Sequence, residues 1–339
     1  MNPVRSIDLV IPIYNEESNL PTLLERLETD LAALPVPWRA ILVDDGSRDG
    51  SWSMIEAVTA RNAHFVGIRL GRNYGQHAAV FAGFGRCEAD AVVTLDADLQ
   101  NPPSEIPRLL EALDQGYDVV GGWRKRRQDS AFRRVASKLM NLLISRATGV
   151  SLRDYGCMLR AYRIEVVRLM RESGEISTYV PALAHCFTDR ITEIPVEHAE
   201  RAHGVSRYNP IALVSLLLDL LTGFSMMPLR ALSILGVGMA VVGTAFAVLL
   251  VAMRLAYGSG WAAEGVITLF GPLFFFIGAQ FLALGLLGEY LGRIYNEVRR
   301  RPQYVVRSET DSASGKQALA TPRRRASDPQ GGWVTRSML

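Results

Sequence analysis

Four aspartates stand where a sheet would present them together: Asp44 and Asp45 close one apolar run, Asp96 and Asp98 follow another. Residues two apart on an extended chain point to the same side, so Asp96 and Asp98 offer two carboxylates to one place. Neighbouring carboxylates repel each other, and a hard divalent cation held by a few oxygens and by substrate phosphates removes that cost. Mg²⁺ or Mn²⁺ bridging a diphosphate suits this chemistry. A turn with a helix cap would use the same residue types, but the placement of Asp96 and Asp98, with Leu99, Gln100, Asn101, Pro102 and Pro103 directly behind them, favours the metal reading.

The elements that must carry these residues alternate short apolar runs with helical stretches, the pattern of a mainly parallel sheet covered on both faces. Strands are expected at 7–13, 40–43, 65–70, 91–95 and 118–120. Helix starts are expected at Asn19, Asp49 and Asn101. Both aspartate pairs then fall at the carboxyl ends of strands, the edge where ligands bind in open α/β sheets. A dinucleotide-binding dehydrogenase would share this sheet but needs GxGxxG after its first strand. Here Ile13 is followed by Tyr14, Asn15, Glu16 and Glu17. Gly83 and Gly85 fall inside a predicted helix and read as close packing. No P-loop is present, which removes kinase and ATPase chemistry.

The rest of the chain is built for a different solvent. Residues 232–253 and 266–288 carry no charge, and each run is long enough to cross a hydrocarbon core of roughly 30 Å. The link between them holds a single basic residue, Arg254, whereas Arg230 precedes the first run and Arg293, Arg299, Arg300 and Arg301 follow the second. The positive-inside rule then places both termini in the cytoplasm. No leader is expected before the strand at 7–13. Cys87, Cys157 and Cys186 are odd in number and scattered, which suits reduced core thiols and not a zinc site or disulfide framework.

A net charge of +3 is too small to imply nucleic acid. Basic residues crowd 124–138, either as a solvated face or as a surface for anions and lipid headgroups. Phe132, Val135, Ala136, Leu139, Leu142 and Leu143 mark an amphipathic helix, and the apolar stretch from Pro210 is expected to lie in the membrane interface. From Arg307 onward the composition predicts disorder. The expected organisation is a catalytic domain at 1–209, an interfacial helix at 210–229, a two-helix membrane region at 230–292 and a cytoplasmic tail at 293–339.

Three segments carry a family resemblance: Val10-Ile11-Pro12-Ile13-Tyr14-Asn15-Glu16-Glu17, Val43-Asp44-Asp45-Gly46-Ser47 and Leu95-Asp96-Ala97-Asp98-Leu99-Gln100. With them the chain resembles the family-2 glycosyltransferases of GT-A fold, a Rossmann-like α/β class. Arg72-Asn73-Tyr74-Gly75-Gln76-His77, the stretch 285–302 and the two closing spans make it similar to the polyprenyl-phosphate sugar transferases within that family. Asp154-Tyr155-Gly156-Cys157-Met158-Leu159-Arg160-Ala161-Tyr162-Arg163 and Trp261-Ala262-Ala263-Glu264-Gly265-Val266 resemble the branch that handles 4-deoxy-4-formamido-L-arabinose. The likeness covers about residues 6–307.

The resemblance implies UDP-4-deoxy-4-formamido-L-arabinose as donor, undecaprenyl phosphate as acceptor, transfer with inversion, an inner-membrane enzyme, and a homo-oligomer with the tetramer as its candidate form. The product would serve lipid A modification and resistance to polymyxin-type peptides. It further implies that Pro12, Tyr14, Glu16, Asp44 and Asp45 border the uracil and ribose, and that Asp96, Asp98 and Gln100 border metal and diphosphate. Arg124 and Arg201 match phosphate-contacting positions, a task that suits guanidinium forks. Asp154 matches a position proposed as catalytic base. His77 and His203 lie in motifs and read either as phosphate ligands or as structural histidines. The rivals are a glucose or mannose transferase to the same lipid, a processive synthase, and a non-catalytic membrane scaffold. The synthase would need a QxxRW-like motif, which is missing, and the scaffold would tolerate damage to the four aspartates, which are intact.

Overall fold

The computed structural model describes residues 3–124, 157–173, 179–197, 227–257, 266–299 and 302–312. These form two compact units. The first is a three-layer α/β unit around an eight-stranded sheet of order β7-β5-β6-β4-β1-β2-β3-β8. Its strands are β1 (Ile7–Ile13), β2 (Trp38–Asp44), β3 (Phe65–Leu70), β4 (Ala91–Thr94), β5 (Val119–Arg124), β6 (Arg160–Arg163), β7 (Ile191–Val196) and β8 (Val306–Thr310). The first four pair in parallel, as expected. β6 runs antiparallel between β4 and β5, β7 is parallel to β5, and β8 is antiparallel to β3.

The alternation of β1 builds both cores. Ile7, Leu9, Ile11 and Ile13 face a cluster shared with α1 (Leu20–Leu31), α2 (Ser51–Arg61) and α4 (Ile106–Asp114). Val10 faces the opposite cluster, filled by α3 (Gln76–Phe84), α5 (Ile164–Ser173) and α6 (Val180–Ala184). In α1 the buried set Leu20, Leu23, Leu24, Leu27 and Leu31 keeps the helical period that lays one stripe on the sheet. At the amino edge, Asp8 is buried. It receives a two-pronged pair from Arg39, at 2.9 and 3.0 Å, and the amides of Glu88 and Ala89. A buried carboxylate is tolerated there because every oxygen is met by donors.

Several expectations need correction. Asn19 does precede α1 but makes no cap: its Nδ2 donates instead to Glu16 Oε2. A 3-10 turn, Pro103–Glu105, intervenes before α4. Cys87 and Cys157 are buried fillers, but Cys186 is exposed. The chain is not structureless from Arg307, because Val306–Thr310 forms the edge strand β8. Its polar composition suits a strand with one side against solvent, where apolar patterning is not required.

The second unit holds α7 (Met227–Tyr257) and α8 (Val266–Val298). In α7, Leu229–Tyr257 contains an 18-residue window with a mean hydropathy of 2.5 and is long enough to cross a membrane. Ile234, Val237, Val241, Val242 and Val248 are all exposed on it, a surface that lipid can cover and water cannot cheaply. In α8 the described apolar stretch is Phe276–Gly292. Gly243 of α7 lets Phe276 of α8 approach to 3.5 Å of where a Cβ would stand, the small-residue packing of helices in lipid. The amphipathic segments expected around Phe132 and from Pro210 lie outside the described residues.

Gly83 lies where α3 crosses β1, and a Cβ built there would sit 2.3 Å from Val10 Cγ1. Gly83→Ala should lower stability by about 1 kcal/mol, an overpacking cost of about 2 kcal/mol less the ~1 kcal/mol that Ala gains as a helix former. A thermal midpoint equal to or above that of the parent chain would contradict this packing.

Candidate active site

The loops that follow β1, β2, β3 and β4 all leave the same carboxyl edge of the sheet, where the backbone ladder between β1 and β2 ends with the Asp45 amide on the Ile13 carbonyl at 2.8 Å. Beyond it, side chains join the loops. Ser47 Oγ accepts the Asn15 amide at 3.0 Å, Asn15 Oδ1 accepts the Arg48 amide at 2.9 Å, and Glu17 Oε2 accepts that of Gly50 at 2.9 Å. Ser51 Oγ accepts the Glu16 amide at 3.0 Å. The β1 and β2 loops are thus stitched together in both directions. Asp45 next binds the β3 loop, with its two oxygens accepting the amides of Tyr74 and Gly75 at 2.7 and 2.8 Å. Gln76 Nε2 finally donates to Asp96 Oδ1 at 2.5 Å, which reaches the β4 loop.

Gly46 allows the middle of this series to close. Its φ is +72°, a region costly for residues with a Cβ, and a Cβ would stand 2.5 Å from the Arg72 carbonyl carbon. Two non-glycine residues also take left-handed φ at this edge, Asn15 at 55° and Leu99 at 62°. Asn is one of the few residues with a Cβ that visits this region readily, and its Oδ1 here is taken by the Arg48 amide of the neighbouring loop. Leu99 is held there with its side chain buried, directly after Asp98. Such strain is typical of positions whose neighbours must point in one direction.

The stitched loops enclose a cavity of about 300 Å³. Pro12, Ile13, Tyr14 and Glu16 from the β1 loop line it with Asp45, and the β3 and β4 loops add Asn73, Gly75, Gln76, Asp96, Ala97 and Asp98. Six residues picked from the sequence, Pro12, Tyr14, Glu16, Asp45, Asp96 and Asp98, therefore meet in one place. Asp44 does not line it: it is fully buried behind the edge, with Arg69 Nε at 3.3 Å and the Ser47 amide at 3.0 Å. Gln100 lies beside the cavity, and its amide donates to Asp98 Oδ1 at 3.2 Å. Arg124 ends β5, while its side chain, like Asp154, Arg201 and His203, lies outside the described residues. Asn73, Gly75 and Gln76 stood in the sequence only as members of the Arg72–His77 motif, with no role at the site expected for them. That β3 is parallel to β2, and so ends at the same edge, is the signal that would have found them.

Four carboxylates, Glu16, Asp45, Asp96 and Asp98, line the cavity, and among its described lining residues there is no Lys or Arg. Burial pushes the Asp45 carboxyl above its ordinary range against the pull of the Tyr74 and Gly75 amides, and neighbouring Asp44 adds to the rise. Among the described residues no group of three or more His, Cys, Asp or Glu side chains gathers to hold a metal on its own. Asp96 and Asp98 nevertheless fit a Mg²⁺-type ion, which is commonly held by one or two carboxylates completed by substrate phosphates. His77 fits a phosphate poorly. Its ring packs edge-on against Tyr179 at 5.1 Å, and burial lowers its pKa to about 4, so it is neutral at pH 7.

The Glycosyl transferase family 2 model matches residues 8–173. Undecaprenyl-phosphate 4-deoxy-4-formamido-L-arabinose transferase of Klebsiella pneumoniae strain 342 is 54% identical over 305 residues, covering 90% of this chain and 93% of that protein. The enzyme of the same name from Edwardsiella ictaluri is 55% identical over 306 residues, with 90% and 94% coverage. That of Pseudomonas syringae pv. syringae is 51% identical over 313 residues, with 92% and 93% coverage. The chain belongs to glycosyl transferase family 2. Among solved structures, glucosyl-3-phosphoglycerate synthase from Mycobacterium tuberculosis, in complex with Mn²⁺, UDP-glucose and phosphoglyceric acid, aligns with a TM-score of 0.47 and 20% identity over 64% of this chain and 79% of that one. As a family 2 glycosyltransferase, the chain carries its acidic cavity at the edge where such a fold takes its ligands.

His77 gives this site a pH signature. The unfolded chain takes up a proton near pH 6.5 and the folded chain only near 4, so stability is full above pH 6.5 and falls as pH drops towards 4. Nδ1 is sealed while the residue as a whole keeps some contact with solvent, which reduces the expected loss to on the order of 2 kcal/mol. His77→Phe keeps the ring and removes the proton site, so its melting temperature should fall less than that of the parent between pH 7 and pH 4.5. Parallel curves would assign the acid sensitivity elsewhere.

Proposed function

We propose that the chain transfers 4-deoxy-4-formamido-L-arabinose from UDP to undecaprenyl phosphate, supplying lipid A modification and resistance to polymyxin-type peptides. The observation that carries the reading is the acidic cavity, in a chain 51–55% identical to transferases named for that sugar and lipid. A diphosphate cannot approach four carboxylates without a counter-charge. Asp96 and Asp98 would hold the divalent cation, Mg²⁺ or Mn²⁺, which when bound offsets the charge of the UDP leaving group.

The chain's own residues then do the work of placement. Asp45 and Gln76 hold the loops that shape the donor site, and Tyr14 and Glu16 border the nucleoside. Arg124 and Arg201 bind phosphate oxygens through their planar forks. An acceptor phosphate oxygen attacks the anomeric carbon from the side opposite UDP. The bond from that carbon to the β-phosphate oxygen breaks, its electron pair leaves with UDP, and the configuration inverts. A phosphate monoester has a second pKa of about 6, so at neutral pH the attacking oxygen is already mostly anionic. Positioning and charge neutralisation therefore contribute more rate than proton removal does, and Asp154 orients the sugar or the acceptor.

The acceptor's isoprenoid tail stays in the bilayer, so the site works at headgroup height. The second uncharged run, 266–288, is read as a span beside α7. The charges flanking the two runs put the catalytic unit and both termini on the cytoplasmic side of the inner membrane. Purified protein given candidate UDP-sugars, Mg²⁺ and undecaprenyl phosphate should use the formamido-arabinose donor; preference for the glucose or mannose donor would favour the rival reading.

Two substitutions test the chemistry. Asp98→Asn should leave the fold intact and abolish turnover, and full activity of the parent in chelator, with metal removal verified, would sink the metal reading. Asp154→Asn should lose rate at or below the bottom of the ~10²- to 10⁴-fold range typical of general-base removal. A larger loss with donor binding and folding unchanged would make Asp154 a true base.

A further inference from the structure

The loop after β3 is gripped from behind by the last strand. The Gly71 amide, at the start of the loop, donates to the Val305 carbonyl at 2.8 Å. Past the loop, Tyr304 Oη donates to the Phe81 carbonyl of α3 at 3.4 Å, and Arg86, just beyond α3, is ion-paired with Glu309. The 71–86 segment is thus held at both ends by residues 304–309. Its front, at Asn73, Gly75 and Gln76, lines the cavity and bonds Asp45 and Asp96.

β8 is fitted to this place. Gly67 of β3 faces Thr310 in register, and a Cβ on Gly67 would stand 2.6 Å from Thr310 Cγ2. The Thr310 hydroxyl lies 3.1 Å from that of Thr59 on α2. Tyr304 and Val306 pack on the same apolar cluster as Tyr74 of the loop. The register between β3 and β8 shifts at Arg69 and Leu70, where β3 gives way to the loop. Irregularities of this kind redirect a strand end.

We propose that residues 304–309 form a strap that sets the position of the 71–76 loop, making Tyr304, Arg86 and Glu309 positioning residues for donor binding. The inference rests on the cavity being the UDP site. The strap follows α8 in the chain, with only 299–303 between them, so an element that comes after the apolar helices sets the geometry of the donor loop.

Charge reversal in the full-length protein tests this. Arg86→Glu and Glu309→Arg should each speed amide hydrogen exchange in a 71–76 peptide and weaken UDP affinity by about tenfold, within the ~5- to 150-fold range of coupling between sites. The apparent KM for polyprenyl phosphate should stay unchanged. The double reversal should restore both readouts, and Tyr304→Phe, which removes one hydroxyl, should give a smaller change in the same direction. Unchanged exchange at 71–76 in both single variants overturns the proposal. So does faster exchange with UDP affinity unaltered in a protein that binds UDP. If the parent binds no UDP but exchange responds and is rescued as described, the strap stands and the reading of the cavity as the donor site fails.

Discussion

A parallel sheet delivers its loops to one edge but does nothing to hold them there, because its hydrogen-bond ladders end with the strands. In this chain the missing ties run through Asp45, Gln76 and the Ser47–Asn15 pair, each joining a side chain on one loop to a group on the next. Asp45 is the central member, because its two oxygens fix two consecutive amides and so define both the position and the orientation of the β3 loop. This has an electrostatic cost. Burial and Asp44 both oppose its ionisation, and the two amide donors offset part of that opposition. Asp45 gives both oxygens to this loop, whereas Asp96 accepts from Gln76 and Asp98 from the Gln100 amide, each on Oδ1.

The same accounting explains the division of labour between the two aspartate pairs. Asp44 is the last residue of β2 and Asp45 the first of the loop behind it, and their side chains go to different places. Asp44 turns inward to Arg69 and the Ser47 amide, and only Asp45 reaches the cavity. Asp96 and Asp98 are two apart and both reach it. β4 ends at Thr94, so it is the turn after the strand, and not an extended chain, that brings Asp96 and Asp98 to the same cavity. The surplus of negative charge around the cavity would tie the binding of any anion there to that of a cation. A donor that brings its own counter-ion is favoured over a bare anion.

What was legible in the sequence follows from how each element is solvated. β1 and β3 could be bounded correctly, because central parallel strands are apolar on both faces and broken by turn residues. β6 could not. Its sequence, RAYR, is half arginine, yet Arg160 and Arg163 are buried, supported by carbonyls of Cys157 and Leu113 and by Glu193 and Asp114. Tertiary partners make that strand possible, and no local pattern announces them. β7 and β8 are edge strands: β7, ITEIPV, is only partly buried and interrupted by Glu193 and Pro195, and β8, VRSET, carries little apolar signal. The site divides similarly: carboxylates at strand ends are visible as motifs, whereas Gln76 and Gly75 matter through what they touch.

The order of the strands carries one further consequence. β7 and β8 lie at opposite edges of the eight-stranded sheet, roughly 34 Å apart at the usual strand spacing. The stretch of chain between them contains both long apolar helices. These helices are therefore an insertion between two edge strands, and a chain ended near residue 209 would lack β8. During synthesis β8 is the last strand to emerge, so β3 remains an open edge until both helices have been made. An open edge is a site for wrong pairing, and its closure here coincides with a tie on the 71–76 loop, the Gly71 amide to the Val305 carbonyl. The arrangement leaves the loop that lines the cavity without its tie to residue 305 until both apolar helices have been made.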